Sequence, residues 1–229
     1  MNIHGLQKLT LLDFPQNVAC TVFLGGCDFR CPFCHNWELI DGTAPAVMDE
    51  KELFKFLETR KGLLDGVVFT GGEPTLRKDL PDVMRQIREM GYKIKLDTNG
   101  NGPDRLAALV DEGLVDYVAM DIKNGKDRYG ETIGIEGFDT SAIEESVRYL
   151  LSGKVDYEFR TTVIKQFHDE QSFKDIAQWI NGAEKYYLQG FVDRDTVPYA
   201  GLEAWDKATM QSFLDIVKPS VKTAELRGY

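Results

Sequence analysis

Short apolar runs alternate with helical stripes six times along this chain, and that alternation restricts its fold more than any other feature of the 229 residues. The runs are rich in β-branched and aromatic side chains and read as buried strands: Val18 to Leu24, Gly66 to Thr70, Tyr92 to Leu96, Tyr117 to Asp121, Val155 to Val163 and Lys185 to Gln189. Between them apolar residues recur every three or four positions. Glu50 to Arg60 carries Leu53, Phe54, Phe56 and Leu57 behind an N-cap at Asp49. Asp79 to Met90 carries Val83, Met84, Ile87 and Met90 ahead of a stop at Gly91. Asp104 to Glu112, Ser141 to Leu151, Asp169 to Ile180 and Thr209 to Val217 continue the series. Strands joined through helices run parallel, because a parallel neighbour is reached only by a long crossover. Eight such units close a barrel, and six leave it open. The expectation is an α/β fold, an open partial (β/α)6 barrel whose mouth admits a large substrate. No Pro/Ser-rich or low-complexity stretch divides residues 1–229, which read as a single domain with a tail at 221–229. Residues 122–139 and 191–207 read as long loops of the kind that carry function.

The net charge of -10 argues against nucleic acid or an anionic membrane as the main partner. No apolar run approaches the ~18 residues of a membrane span, and Met1 to Gln7 has neither the basic nor the apolar region of a signal peptide. The chain is therefore expected to be cytoplasmic, with its thiols reduced. That setting bears on the four cysteines. Cys20 alternates with strand neighbours and reads as an inert core thiol. The other three lie in Gly26-Cys27-Asp28-Phe29-Arg30-Cys31-Pro32-Phe33-Cys34-His35-Asn36, spaced C-x3-C-x2-C. Compartment and tight clustering oppose disulfides. Thiolates suit iron–sulfur clusters and zinc alike. Zinc wants a fourth protein ligand, and His35 is adjacent to Cys34, so the two side chains diverge. Three thiolates leave one iron of a four-iron cube open, free to bind and reduce a ligand. Structural zinc and a closed electron-transfer cluster stay as alternatives at this point.

In parallel α/β folds ligands bind at the C-terminal ends of the strands. The notable residues fall there. The cysteines follow the first strand, Gly71-Gly72-Glu73-Pro74 the second, and Asp97-Thr98-Asn99-Gly100 the third. Asp121-Ile122-Lys123 ends the fourth, Arg160 lies on the fifth and Gln189 on the sixth. Each set has a bland reading as a turn, a cap or a solvated charge. Their shared rim favours a site. His168 precedes a helix and reads as a surface cap residue.

The C-x3-C-x2-C loop, with Phe33 before the third cysteine, resembles the signature of the radical S-adenosylmethionine (SAM) superfamily. The resemblance implies a [4Fe-4S] cluster on Cys27, Cys31 and Cys34, within a cluster loop at 25–36. It implies SAM chelated to the open iron and split to methionine and a 5′-deoxyadenosyl radical that abstracts hydrogen. It also implies SAM contacts from Phe33, Gly71, Gly72, Glu73, Asp97, Asn99, Lys123, Arg160 and Gln189. Gly71 and Gly72 are expected to let backbone approach the ligand, and Glu73 to accept from its ammonium. Lys123 and Arg160 are expected to meet its carboxylate, and Gln189 its ribose. Asp97, Thr98 and Asp121 are candidates to surround a monovalent cation.

His35-Asn36 after the third cysteine and Leu96-Asp97-Thr98-Asn99-Gly100 resemble the branch that activates glycyl radical enzymes. Gly5 to Pro15, Thr21 to Cys27 and Glu225 to Tyr229 resemble the activating proteins of anaerobic ribonucleoside-triphosphate reductase. That resemblance implies abstraction of a glycine α-hydrogen from a partner glycyl radical enzyme, anaerobic ribonucleotide reductase, with a flavodoxin- or ferredoxin-type electron donor. The alternatives are an activase of a pyruvate formate-lyase-like enzyme, a radical SAM enzyme of a small metabolite, and a non-catalytic iron–sulfur carrier. Asp28 stands where the family often has Asn. Arg227-Gly228-Tyr229 resembles a glycyl radical loop, and two readings compete for it: a terminal strand covering the sheet, or a plug in the mouth.

Overall fold

The computed structural model describes residues 1–228; Tyr229, the last residue of the expected tail, lies outside the described residues. In chain order the elements are β1 (Asn2–Ile3), β2 (Gly5–Thr10), β3 (Ala19–Leu24), α1 (Trp37–Asp41), β4 (Met48–Asp49), α2 (Glu50–Glu58), β5 (Gly66–Gly71), α3 (Leu80–Glu89), β6 (Lys93–Thr98), α4 (Pro103–Asp111), β7 (Tyr117–Asp121), α5 (Tyr129–Ile133), α6 (Ser141–Leu151), β8 (Asp156–Val163), α7 (Glu170–Trp179), β9 (Lys185–Gly190), α8 (Lys207–Val217) and β10 (Thr223–Arg227). All six expected strands and all six expected helices form, within a few residues of their expected ends. Asp49 caps α2 as expected: its side chain accepts from the Glu52 N–H while the Glu52 carboxylate accepts from the Asp49 N–H, a capping box.

Eight strands make one sheet in the order β10-β9-β8-β7-β6-β5-β3-β2. Pairing is parallel from β3 to β10, and β2 joins antiparallel to β3. Among the described residues no ladder joins β2 to β10, so the sheet has two free edges. Yet Leu12, Asp13 and Pro15 after β2 line one cavity together with Arg227 of β10 and Gly228 just after it. The edges face each other, so the sheet curls into an open partial barrel.

Strand alternation gives this sheet two unlike faces. Cys20, Val22, Leu24, Val67, Phe69, Ile94, Leu96, Val118, Met120, Tyr157, Phe159 and Leu188 join the main apolar core, with helix residues such as Leu53, Val83, Ile87, Leu109, Val147, Ile176 and Phe213. Cys20 is thus the core thiol its alternation predicts. The alternate positions point into the barrel. At its base Phe14, Ala19, Val68 and Tyr117 form a small second core. Above it the inward residues are Lys95, Asp97, Asp121, Glu158, Arg160, Thr162 and Gln189, which line the barrel's cavities.

One expectation needs correction, one strand carried no signal, and the tail follows its strand reading. Residues 122–139 are not one loop, because Lys126–Arg128 forms a 3-10 turn that runs into α5. The segment Gly5–Thr10 forms an edge strand with three of its six residues exposed, so it lacks the apolar run that marks the others. The tail is a strand: β10 pairs with β9 from Thr223↔Lys185 to Arg227↔Gln189. Its Arg227 reaches into the barrel, where Nη1 and Nη2 donate to Glu158 Oε1 and Oε2 at 2.6 and 2.9 Å. Among the described residues no helix is long and apolar enough to cross a membrane.

Candidate active site

Cys27, Cys31 and Cys34 converge on a cavity of about 240 Å³ at the C-terminal ends of the strands. Of the nine proposed SAM contacts, eight line it: Phe33, Gly71, Gly72, Asp97, Asn99, Lys123, Arg160 and Gln189. The ninth, Glu73, does not.

The cysteine loop is held in place by its neighbours. The Gly26 N–H donates to Leu39 O and the Arg30 N–H to Ile133 O, at 2.8 and 2.9 Å. Asn36 Nδ2 donates to Gly71 O at 3.0 Å. His35 Nε2 donates to Val192 O at 2.6 Å, and its ring stacks on Phe191. Asp28 accepts from Asn99 Nδ2 on Oδ1 at 2.7 Å and from Asn101 Nδ2 on Oδ2 at 2.8 Å. Asp28 thus ties the loop to the turn that follows β6. Burial pushes the Cys27 thiol up to about 12 and the Cys31 thiol up to about 11, and raises Cys34 as well. Held in apolar surroundings these are poor nucleophiles. As metal ligands they release protons on binding.

The two glycines also have a packing job. Gly71 sits at φ +120, and a Cβ there would lie 2.4 Å from Leu24 N and O. A Cβ on Gly72 would lie 2.0 Å from Gly26 O. The Gly72 N–H donates to Leu24 O and the Glu73 N–H to Gly26 O, both at 2.8 Å. The pair therefore lets the end of β5 press against the start of the cysteine loop, which only residues without a Cβ allow. Glu73 is also occupied. Its Oε1 accepts from the Thr75 N–H, Thr75 Oγ1 and Thr98 Oγ1 at 3.1, 2.6 and 2.8 Å, and its Oε2 from the Asn99 N–H at 2.6 Å. Burial still raises its pKa against those bonds. The carboxylate fixes the 97–100 turn from below, and no oxygen is left facing the cavity for an ammonium.

Across the barrel runs a row of alternating charges. Lys95 Nζ donates to Asp97 Oδ1. Arg160 lies between Asp97 and Asp121, donating from Nη1 to Asp97 Oδ2 at 3.3 Å and from Nε to Asp121 Oδ1 at 2.9 Å. Lys123 Nζ donates to Asp121 Oδ2 at 2.9 Å. Burial opposes ionisation of Asp121, but the Arg160 and Lys123 charges outweigh it and hold the carboxyl down to about 2. Asp97 is lowered in the same way, burial being outweighed by Arg160 and Lys95. Lys123 and Arg160 line the cavity with Asp97 and Asp121, while Lys95 lines the neighbouring cavity beside Glu158. All four carboxylate oxygens already face a cation, which disfavours a further cation beside Asp97 and Asp121. Among the described residues no three His, Cys, Asp or Glu side chains are arranged to hold a single metal ion.

Two contributors escaped the sequence. Lys95 is almost wholly buried, and its signal was there: Lys95 and Asp97 fall two apart on one strand face, where an inward lysine needs a partner. His168 is no surface cap. It is buried, accepts the Ile164 N–H on Nδ1 at 3.1 Å and donates from Nε2 to Lys123 O at 2.8 Å. Burial lowers its pKa to about 4, so the ring is neutral and pins the backbone of Lys123.

A model of the radical SAM superfamily matches residues 21–180. A protein of Methanocaldococcus jannaschii named for glycyl-radical enzyme activation is 31% identical over 198 residues, 84% of this chain and 81% of the relative. The pyruvate formate-lyase 1-activating enzyme of Escherichia coli (strain K12) is 27% identical over 234 residues, 96% of this chain and 90% of the relative. The solved structure of Streptococcus suis SuiB bound to S-adenosylmethionine superposes with a TM-score of 0.70 at 13% identity, over 91% of this chain and 52% of that longer one. That last likeness bears on the fold alone.

Proposed function

The chain belongs to the radical SAM superfamily and is similar along most of its length to glycyl-radical-enzyme activating enzymes, and we propose that it makes the glycyl radical of anaerobic ribonucleotide reductase. The carrying observation is that three sulfurs and the two cations Lys123 and Arg160 line the same cavity. The donor set fits the cluster this superfamily uses. It is all sulfur, the fourth cysteine points into the apolar core, and the Cys27 sulfur already accepts an N–H from Phe29 at 3.4 Å. Cys27, Cys31 and Cys34 would hold a [4Fe-4S] cluster. Bound there, the cluster and SAM would supply reductive SAM cleavage, with the electron from the donor protein, and the radical chemistry for removing an α-hydrogen from a glycine of the partner.

The remaining roles fall to this chain's own residues. Lys123 and Arg160 are the cations on the cavity wall that would meet the SAM carboxylate. The 71–72 backbone and Asn99 border the amino end, and Glu73 acts by holding Asn99 in place. Phe33, packed against Phe167 with ring centroids 5.9 Å apart, offers an apolar wall. Gln189 borders the cavity from β9 and can meet the ribose. The fully engaged oxygens of Asp97 and Asp121 leave the monovalent cation out of this reading.

The partner rests on the resemblance of residues 5–15, 21–27 and 225–229; a flavodoxin- or ferredoxin-type protein is the proposed electron donor. The anaerobically reconstituted, reduced protein with SAM and anaerobic ribonucleotide reductase is expected to give a glycyl doublet by electron paramagnetic resonance. A doublet only with a pyruvate formate-lyase-type enzyme would move the partner. Deoxyadenosine formation with no protein radical in either would sink the activase reading and favour a small-metabolite substrate.

A further inference from the structure

A second cavity, of about 480 Å³, lies inside the barrel beside the cysteine cavity. Arg160 and Gln189 line both, so the two are neighbours across one wall of side chains. Leu12 lines the second cavity and is 90% exposed, so that cavity reaches the surface. Its opening falls between the two free edges of the sheet, with Leu12, Asp13 and Pro15 on the β2 side and Arg227 on the β10 side. From the flank of the barrel it leads inward to Arg160 and Gln189, the side chains it shares with the cysteine cavity.

The lip on the β2 side is apolar and firmly built. Leu9, Leu11 and Leu12 are 58, 68 and 90% exposed. The turn that presents them is held from within. The Leu12 and Asp13 N–H groups both donate to Thr10 Oγ1 at 3.2 Å, and Asp13 Oδ2 accepts from Thr21 Oγ1 at 2.8 Å. Single exposed leucines are ordinary, but three within four residues at the mouth of a cavity make a contact surface. A small polar metabolite gains nothing from them, whereas a protein that buries them does. Beside them the outer edge of β2 has no ladder partner among the described residues, and such an edge can pair with an extended backbone.

Inside, one charged group is only partly used. Glu158 is engaged on both oxygens, by Arg227 Nη1 and Nη2 at 2.6 and 2.9 Å and by the Tyr117 hydroxyl at 2.9 Å. The Arg227 guanidinium also lies 3.3 Å from the centroid of the Tyr187 ring. Arg160 spends Nε and Nη1 on Asp121 and Asp97. Lys95 differs. It is 1% exposed, it lines this cavity, and its one acceptor among the described residues is Asp97 Oδ1. An ammonium carries three N–H donors, so two are left idle. A buried donor without an acceptor costs about 1–3 kcal/mol. The ligand that suits this cavity brings oxygen acceptors, as the carbonyls of a peptide backbone do.

We propose that the second cavity seats the glycine-bearing segment of the partner enzyme, which enters in extended form between β2 and β10, and that Lys95 donates to a backbone carbonyl of that segment. The inference rests on the activase reading and adds the route and the seat of its protein substrate. The leucine lip holds the partner's surface around the segment, and Lys95 fixes the segment's buried end.

The test places the photo-crosslinking residue benzoylphenylalanine at position 12 of the reconstituted protein, with SAM and anaerobic ribonucleotide reductase. Irradiation is expected to join the two proteins, and peptide mass spectrometry to map the joint to the segment that carries the radical glycine. A joint to a second copy of this chain, to a distant part of the reductase, or to nothing would overturn the proposal. Lys95→Met and Lys95→Arg give an independent reading. At saturating SAM the KM for the reductase should rise about tenfold in the Met variant and return towards wild type in the Arg variant. A lysine that only braces Asp97 would shift SAM affinity and the urea midpoint and leave that KM unmoved, which would remove Lys95 from the proposal. The crosslink decides the route even where the Met variant does not fold. A wild-type protein that cleaves SAM yet leaves no radical on the reductase or on a pyruvate formate-lyase-type enzyme would sink the activase reading and this inference with it. A normal radical yield without the crosslink would sink this inference alone.

Discussion

The cysteine loop and the charge row border one cavity, yet they are finished to different degrees. In the row from Lys95 to Lys123 every carboxylate oxygen has a cationic partner supplied by the chain itself. In the loop the backbone is tied down on several sides, while burial pushes the three thiols upward, and under the proposed reading a cluster would draw their protons off. One region is built to be complete before the ligand arrives, the other to be completed by it. Changes in the row should therefore register in folding stability, and changes in the thiols in activity.

The largest effect should come from Cys31→Ala. Iron binding and SAM cleavage are expected to fall to background, while circular dichroism and the urea midpoint of the iron-free protein stay near wild type. Arg160→Met tests the other side. It leaves two buried carboxylates short of a partner, so stability should drop by about 3–5 kcal/mol in urea unfolding, and SAM affinity should fall with it. A folded Arg160→Met that loses SAM binding without losing stability would break the contrast.

Acid provides a third test. Asp121 is depressed in the fold, so its contribution is present above the unfolded carboxyl value near 4 and is lost as pH falls through about 2. Unfolding free energy should decline over that interval by on the order of 2 kcal/mol, and Asp121→Asn should flatten this limb. The smallest effect belongs to the tie between the two regions. Asn101→Ala removes one of the two side-chain bonds to Asp28 and should cost about 1 kcal/mol. Cysteine-dependent iron loading should be nearly unchanged.

The strands and helices were legible because they bury an apolar stripe against each other, and the stripe's period is written in the chain. Gly5–Thr10 was not, since an edge strand need bury little. The cavity's lining was legible from residue type at the strand ends, and eight of nine proposed contacts lie there. What those residues bond to was not. Glu73 looks like a ligand group in the motif, yet its donors come from the turn at 98–99, a different β/α unit. His168 looks like a cap beside Asp169, yet its ring is set by Lys123, 45 residues away. Sequence position signals that a side chain reaches the rim. Only the packing of neighbouring units decides whether it faces the cavity or braces it.

The tethered cysteine loop has a consequence for cofactor turnover. In small metal-dependent domains the metal folds the site, and its loss unfolds it. Here Asp28, Arg30, His35 and Asn36 each anchor the loop through contacts that involve no sulfur. An oxygen-damaged cluster can then leave behind a receptacle that keeps its shape. Reassembly owes none of the roughly 1–2 kcal/mol per residue that ordering a free loop demands.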